Sequence, residues 1–178
     1  MNKTEIELEN SKNDLLFDIN RSIRYNAKRC RFFECLERLV NFIGLVFSSS
    51  AIYAITQENQ LVATLSGAVV AVASSLALVI GFGNKARDHR DFINDFSQLQ
   101  TLLLTTKLSE QLINELTAKM REIDSKEPTV LIVLEQICYN EQLIAEGFSK
   151  EKCSKISWYQ RLFAQIFDIC PHRIFEKT

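Results

Sequence analysis

The chain has 178 residues, with 21 Lys and Arg against 22 Asp and Glu and a net charge of −1 at pH 7. That length accommodates one domain plus a membrane hairpin but not two full enzymatic domains. The near-neutral charge excludes a nucleic-acid binder held by a strong positive field. Five Gly and two Pro leave little of the chain for loops, and the Leu, Glu, Lys and Ala usage, without alternating β-branched runs, predicts an all-α protein.

Residues 1–38 are expected to be cytoplasmic. The polar start MNKTEIELEN predicts no cleavable signal peptide. Asn13 and Asp14 are expected to cap a helix through LLFDINRSIRYNAKRCRFFECLERLV, which runs into the first apolar stretch. Its basic flank carries Tyr25, Phe32 and Phe33, aromatic residues suited to the headgroup level.

Residues 39–82 contain two uncharged runs, 39–57 and 61–82, with QENQ at their junction. A bilayer core of about 30 Å needs about 20 apolar residues. The second run meets this: its Leu, Ile, Val and Phe residues contribute roughly −3 to −7 kcal/mol toward insertion. The first run carries Asn41, Ser48, Ser49, Ser50 and Tyr53, so it sits near the insertion threshold. Charge placement gives a topology. Arg21, Arg24, Lys28, Arg29, Arg31 and Arg38 precede the first run and Lys85, Arg87 and Arg90 follow the second, whereas QENQ has no cation. This is the positive-inside pattern of a hairpin in the inner membrane with both termini cytoplasmic. A hairpin buried in a soluble bundle would need charged outer faces, which these runs lack.

Ala63, Gly67, Ala71 and Ser75 recur every four residues along the second run, a small-xxx-small line that permits close helix approach. Asn41, Gly44, Ser48 and Ala51 form a matching small and polar line on the first. These lines either pack the hairpin on itself or join neighbouring chains into a homo-oligomer. Neither run holds an Asp, Glu, Lys, Arg or His between its flanks, so no proton relay or charged-substrate site is expected there.

Residues 83–147 are expected to form a cytoplasmic helical bundle. Phe92, Phe96, Leu99 and Leu103 make an apolar seam at heptad-like spacing. Ser109 opens the next helix, with Leu112, Ile113, Leu116, Met120 and Ile123 on one face, ending in DSKEP. Pro128 suits the first turn of a further helix that stops at Gly147, with Leu131, Leu134, Cys138 and Ile144 completing the bundle. In residues 148–178, Trp158, Tyr159, Leu162, Phe163, Ile166, Phe167 and Cys170 cover one side of a helix beside Lys155 and Arg161. That helix either lies on the inner leaflet or docks on the bundle.

Cys30, Cys35, Cys138, Cys153 and Cys170 show no C-x-x-C spacing and have only His89 and His172 to join them, so reduced thiols and no metal or other cofactor are expected. His89, beside Asp88 and Asp91, reads as a residue of an exposed charged turn. Cys138 falls on an apolar face with no neighbouring histidine. No phosphate loop or nucleophile elbow occurs, so no enzymatic activity is expected.

The basic helix with YNAKR (Tyr25, Asn26 and Arg29 among them), the two close apolar runs, and the helix beginning KARDH (Lys85 to His89) resemble the SLATT-type two-span membrane proteins of bacteria. The stretch REIDSKEPTVLIVLEQICYNEQLIAEG is similar to a segment of small two-span relatives. There an acidic residue before a proline, here Pro128, precedes a helix carrying Cys-x-Asn-Glu, here Cys138, Asn140 and Glu141. The resemblance implies a membrane effector of a bacterial conflict or anti-phage system, in which a nucleotide-sensing partner triggers pore formation and cell death. The alternative is a membrane-anchored scaffold, exclusion or immunity protein whose bundle holds a partner. The partners expected are the bilayer, a further copy of the chain and a sensor or other partner protein, and no nucleic acid.

Overall fold

The computed structural model describes residues 3–47, Ser49 and 60–174. Every regular element among them is helical: α1 (Lys3–Phe47), α2 (Gln60–Ile80), α3 (Phe82–Thr105), α4 (Glu110–Lys126), α5 (Ile132–Ala145) and the short α6 (Trp158–Phe163), with single 3-10 turns at Lys150–Lys152 and Pro171–Ile174. The chain divides into two units. One comprises residues 1–28 with 89–178, the other residues 29–88.

One helical stretch among the described residues, Thr64–Thr105, is long and apolar enough to cross a membrane, with a window of mean hydropathy 2.2. At ~1.5 Å per residue the 21 residues of α2 are about 31 Å long, close to the ~30 Å of a bilayer core. Leu78 and Val79 are 85% and 83% exposed, and Leu61, Leu65, Val72 and Leu76 are also exposed. The end of α1 has the same character, with Leu39, Phe42 and Leu45 exposed. Ser48 and residues 50–59, most of the remainder of the first apolar run, lie outside the described residues.

Within the second unit, residues 29–88, the end of α1 runs antiparallel to the α2–α3 junction. The Lys85 ammonium lies 5.7 Å from the Phe33 ring centre. A Cβ at Gly83 would come within 2.5 Å of the Glu37 carboxylate, so glycine makes room for that side chain. Val40 and Asn41 share a shallow hollow with Ala77 and Leu78. As numbers rise along α1, the facing numbers fall. Gly81, at φ 66°, separates α2 from α3, a left-handed conformation that L side chains avoid.

The other unit is a bundle around a core of Leu15, Ile19, Phe96, Leu99, Leu103, Ile113, Leu116, Met120 and Ile123. The seam expected on α3 is therefore its packing face, with Phe96 fully buried and Phe92 half-buried. The α4 face is as expected too, and Ser109 caps α4 by accepting from the Leu112 amide at 3.2 Å. A second core gathers Tyr25, Val133, Leu134, Cys138, Ala164 and Ile174.

Three expectations for α1 and α5 fail. Asn13 and Asp14 do not open a helix, because α1 is already continuous from Lys3; its upstream residues bring Leu8 to the same core. Pro128 does not occupy the first turn of α5, which begins four residues later at Ile132. Ile144 is exposed, and Val133 and Leu143 take the buried positions instead. The stop at Gly147 holds: at φ 85° it lets Phe148 N–H donate to Leu143 O and Gly147 N–H donate to Ile144 O.

Candidate functional site

Three of the eight residues singled out by the SLATT-type resemblance, Tyr25, Asn26 and His89, meet in the first unit at one polar junction with the link that carries Pro128. Asn26 lies on α1 with no exposed surface. Its Nδ2 donates to Ser22 O at 3.1 Å and to Glu127 Oε1 at 2.6 Å. Its Oδ1 is thereby left to accept, from His89 Nδ1 at 2.7 Å, which assigns the imidazole proton to Nδ1. His89 is only 4% exposed, so its expected place on a solvated turn is wrong. It precedes Phe92 by three residues and so shares the inward face of α3; the two rings meet edge-on at 6.2 Å.

Next to Asn26, the Tyr25 hydroxyl accepts from the Leu131 amide at 3.0 Å. The link that carries Glu127 and Pro128 is thus held at both ends by consecutive residues of α1. Glu127 is the acidic residue before the proline, and sequence reading gave it no partner. Burial pushes its carboxyl up to about 7, opposed by the Asn26 hydrogen bond and reinforced by Asp124 and Glu135. Asp124 is also raised, first by burial, with Arg21 pulling it down and Asp18 and Glu135 adding to the rise. A hollow of about 120 Å³ lies between Arg21, Ser22, Tyr25, Asp124, Glu127, Val130 and Glu135. It is too small for a nucleotide or organic cofactor, whose pockets run to about 300 Å³ or more.

The Cys-x-Asn-Glu residues have separate structural tasks. Cys138 is fully buried in the second core, and burial pushes its thiol up to about 12, so it is uncharged and unreactive at neutral pH. Asn140 clamps Ser154, donating to its carbonyl at 2.8 Å and accepting from its amide at 3.0 Å. Glu141 pairs with Lys28 at 2.9 Å. Arg29 belongs to the other unit, where its guanidinium lies 4.6 Å from the Phe33 ring centre. All five cysteines are free thiols. Among the described residues no His, Cys, Asp and Glu grouping has the arrangement of a metal site.

Among the described side chains of α2 the half-buried positions are Ser66, Val70, Ala73 and Ala77, spaced four, three and four apart. The small-residue line is a different one. Gly67, Ala71 and Ser75 are exposed, and no described atom lies within 4 Å of a Cβ built on Gly67. On α1, Asn41 is exposed and Gly44 half-buried, also with nothing described within 4 Å of its Cβ position. Ser48, Ala51 and the side chain of Ala63 lie outside the described residues.

Two further side chains, Asp168 and Gln160, fix the C-terminal segment, and sequence reading did not single them out; Arg24, named there only as a flanking cation, joins α1 to α5. Asp168 accepts from the Ile132 and Val133 amides at 2.9 Å each, capping α5. Gln160, 2% exposed, accepts from Ser157 N–H and donates to the Ile169 and Cys170 carbonyls. Arg24 donates to Gln142 at 2.7 Å. A buried glutamine inside an apolar helix was the available signal, since a buried amide requires partners. Comparison with protein-family models, with curated proteins and with solved structures gives no match.

Proposed function

We propose that the chain is a two-span protein of the bacterial inner membrane, with both termini cytoplasmic, and that it acts as a defence effector by oligomerising and permeabilising the bilayer. The hairpin is supported by the exposed apolar surface of α2, the antiparallel course of the α1 end, and a connector that lacks cations. The resemblance of YNAKR and KARDH to SLATT-type proteins supplies the defence context. The observation that carries oligomerisation is the exposed line Gly67, Ala71 and Ser75 beside a different half-buried line on the same helix. Small residues that pack on nothing among the described residues offer a close-approach surface to another helix, where packing and weak interhelical hydrogen bonds drive association.

Induced expression in a bacterial host, followed with a potential-sensitive dye, tests this reading. Growth arrest with collapse of the membrane potential is expected. Harmless expression with a stoichiometric protein partner in the purified membranes would replace it by the anchored-scaffold reading.

A further inference from the structure

The C-terminal segment has two faces, and the inward one accounts only for how it is held. Ala164, 1% exposed, packs in the second core, and Gln160, 2% exposed, ties the segment to itself through Ser157, Ile169 and Cys170. The outward residues are apolar. Trp158 and Leu162, one turn apart on α6, are 76% and 64% exposed, and Ile166 and Phe167 in the following turn are 61% and 48% exposed. Phe163 and Phe167 stack at 5.2 Å. The segment is therefore a fixed platform, with its large side chains presented to the outside by a buried amide.

Charge separates the candidate occupants. Lys150, Lys152, Lys155 and Arg161 are exposed in the same segment. Of the acidic residues described there, Glu151 is exposed, while Asp168 is committed to the amides of Ile132 and Val133. The surface is thus aromatic and aliphatic with a positive surround. A Trp beside cations and aliphatic side chains suits the headgroup boundary of an anionic leaflet, where indole is amphipathic and each cation is attracted.

We infer that this surface is a membrane contact: Trp158, Leu162, Ile166 and Phe167 enter the interface of an anionic bilayer, and the four exposed cations of the segment bind its lipid phosphates. The inference rests on the reading of the chain as membrane-inserted, because α2 would then keep the bundle tethered at a bilayer. Each cation removed is expected to weaken the contact about fivefold.

Trp158 is the only tryptophan in the chain, so its fluorescence reports on this surface alone. The full chain is reconstituted into vesicles of phosphatidylcholine with or without phosphatidylglycerol, using lipids brominated in the acyl chains. Quenching and a blue-shifted emission are expected in the anionic vesicles, weaker in phosphatidylcholine alone and weaker in high salt. Replacing Lys150, Lys152, Lys155 and Arg161 by Gln, or Leu162→Asn with Ile166→Asn, is expected to remove the quenching. These side chains are exposed, so the fold is retained. A chain that floats with the vesicles while Trp158 is open to acrylamide and insensitive to brominated lipid overturns the inference and leaves insertion standing. Trp158 shielded from both quenchers means that protein covers the surface, which also overturns it. Failure to float overturns the membrane reading itself, and this contact with it.

Discussion

Asn26 spends both amide protons and its carbonyl oxygen inside the protein, on Ser22, Glu127 and His89. Asn26→Ala would leave the buried His89 and the half-buried Glu127 each short of a hydrogen bond, at a cost of about 1–3 kcal/mol. Denaturant unfolding of the purified chain measures this directly. Glu127 makes the same junction sensitive to pH. Its carboxyl sits at about 7 against an ordinary 4.5, so between those values the folded chain holds a proton that the unfolded chain has lost. Stability is therefore expected to fall as pH rises through that window and to level off above it. Glu127→Gln should remove most of this slope, leaving the part of the same sign contributed by Asp124. Asn26→Ala should extend the slope to higher pH, because the Asn26 hydrogen bond favours the ionised carboxylate. A flat profile for the native protein would show that Glu127 titrates as a solvated group. The resemblance pointed at Asn26 and His89 without giving their bond. The i, i+3 step from His89 to Phe92 was the legible clue to its burial, and the flanking Asp88, Arg90 and Asp91 obscured it.

Elements whose identity is periodic were legible, and elements set by distant partners were not. The α3 seam, the α4 face, the Ser109 cap and the Gly147 stop depend on residues within a few positions of one another. The start of α5 does not. It has Leu131, which has no capping side chain, at its N-cap, and its first amides are satisfied by Asp168, 35 or 36 residues downstream. Pro128 looked like the start because proline suits a first helical turn, but the Tyr25 hydroxyl holds Leu131 in an extended conformation and the helix waits until Ile132. The expected long amphipathic helix near the C-terminus shrinks to α6 for a related reason. Gln160 bonds back to the Ile169 and Cys170 carbonyls, folding the following residues over it. Asp168→Ala should cost about 0.5–2 kcal/mol, as for loss of an N-cap. Hydrogen exchange should accelerate first at the Ile132 and Val133 amides. Protection there equal to the parent would mean that Asp168 contributes nothing to the start of α5.

At the scale of the whole molecule, the open question is whether the small-residue line of α2 serves the hairpin or the assembly. Nothing described lies within 4 Å of a Cβ built on Gly67, and the half-buried line of α2 runs instead through Ser66, Val70, Ala73 and Ala77. Gly67→Ile with Ala71→Ile should therefore be tolerated within a single chain. Both changes add apolar surface, so the tendency of α2 to insert is kept or raised by a few tenths of a kcal/mol per residue. Between chains the effect is opposite. Two branched side chains one helical turn apart hold a neighbouring helix away, and association in lipid has only packing and hydrogen bonds of about 0.6 to 2 kcal/mol each to sustain it. The double variant is thus expected at parental membrane levels, with cross-linked oligomers lost and any toxicity of the parent lost with them. Val69→Ile with Val72→Ile provides the control, since both positions are exposed and lie off the small-residue line. Its added bulk should leave cross-linking and toxicity unchanged. A Gly67, Ala71 variant that cross-links and kills like the parent would show that the line is not an interface, and the effector would need another surface for assembly.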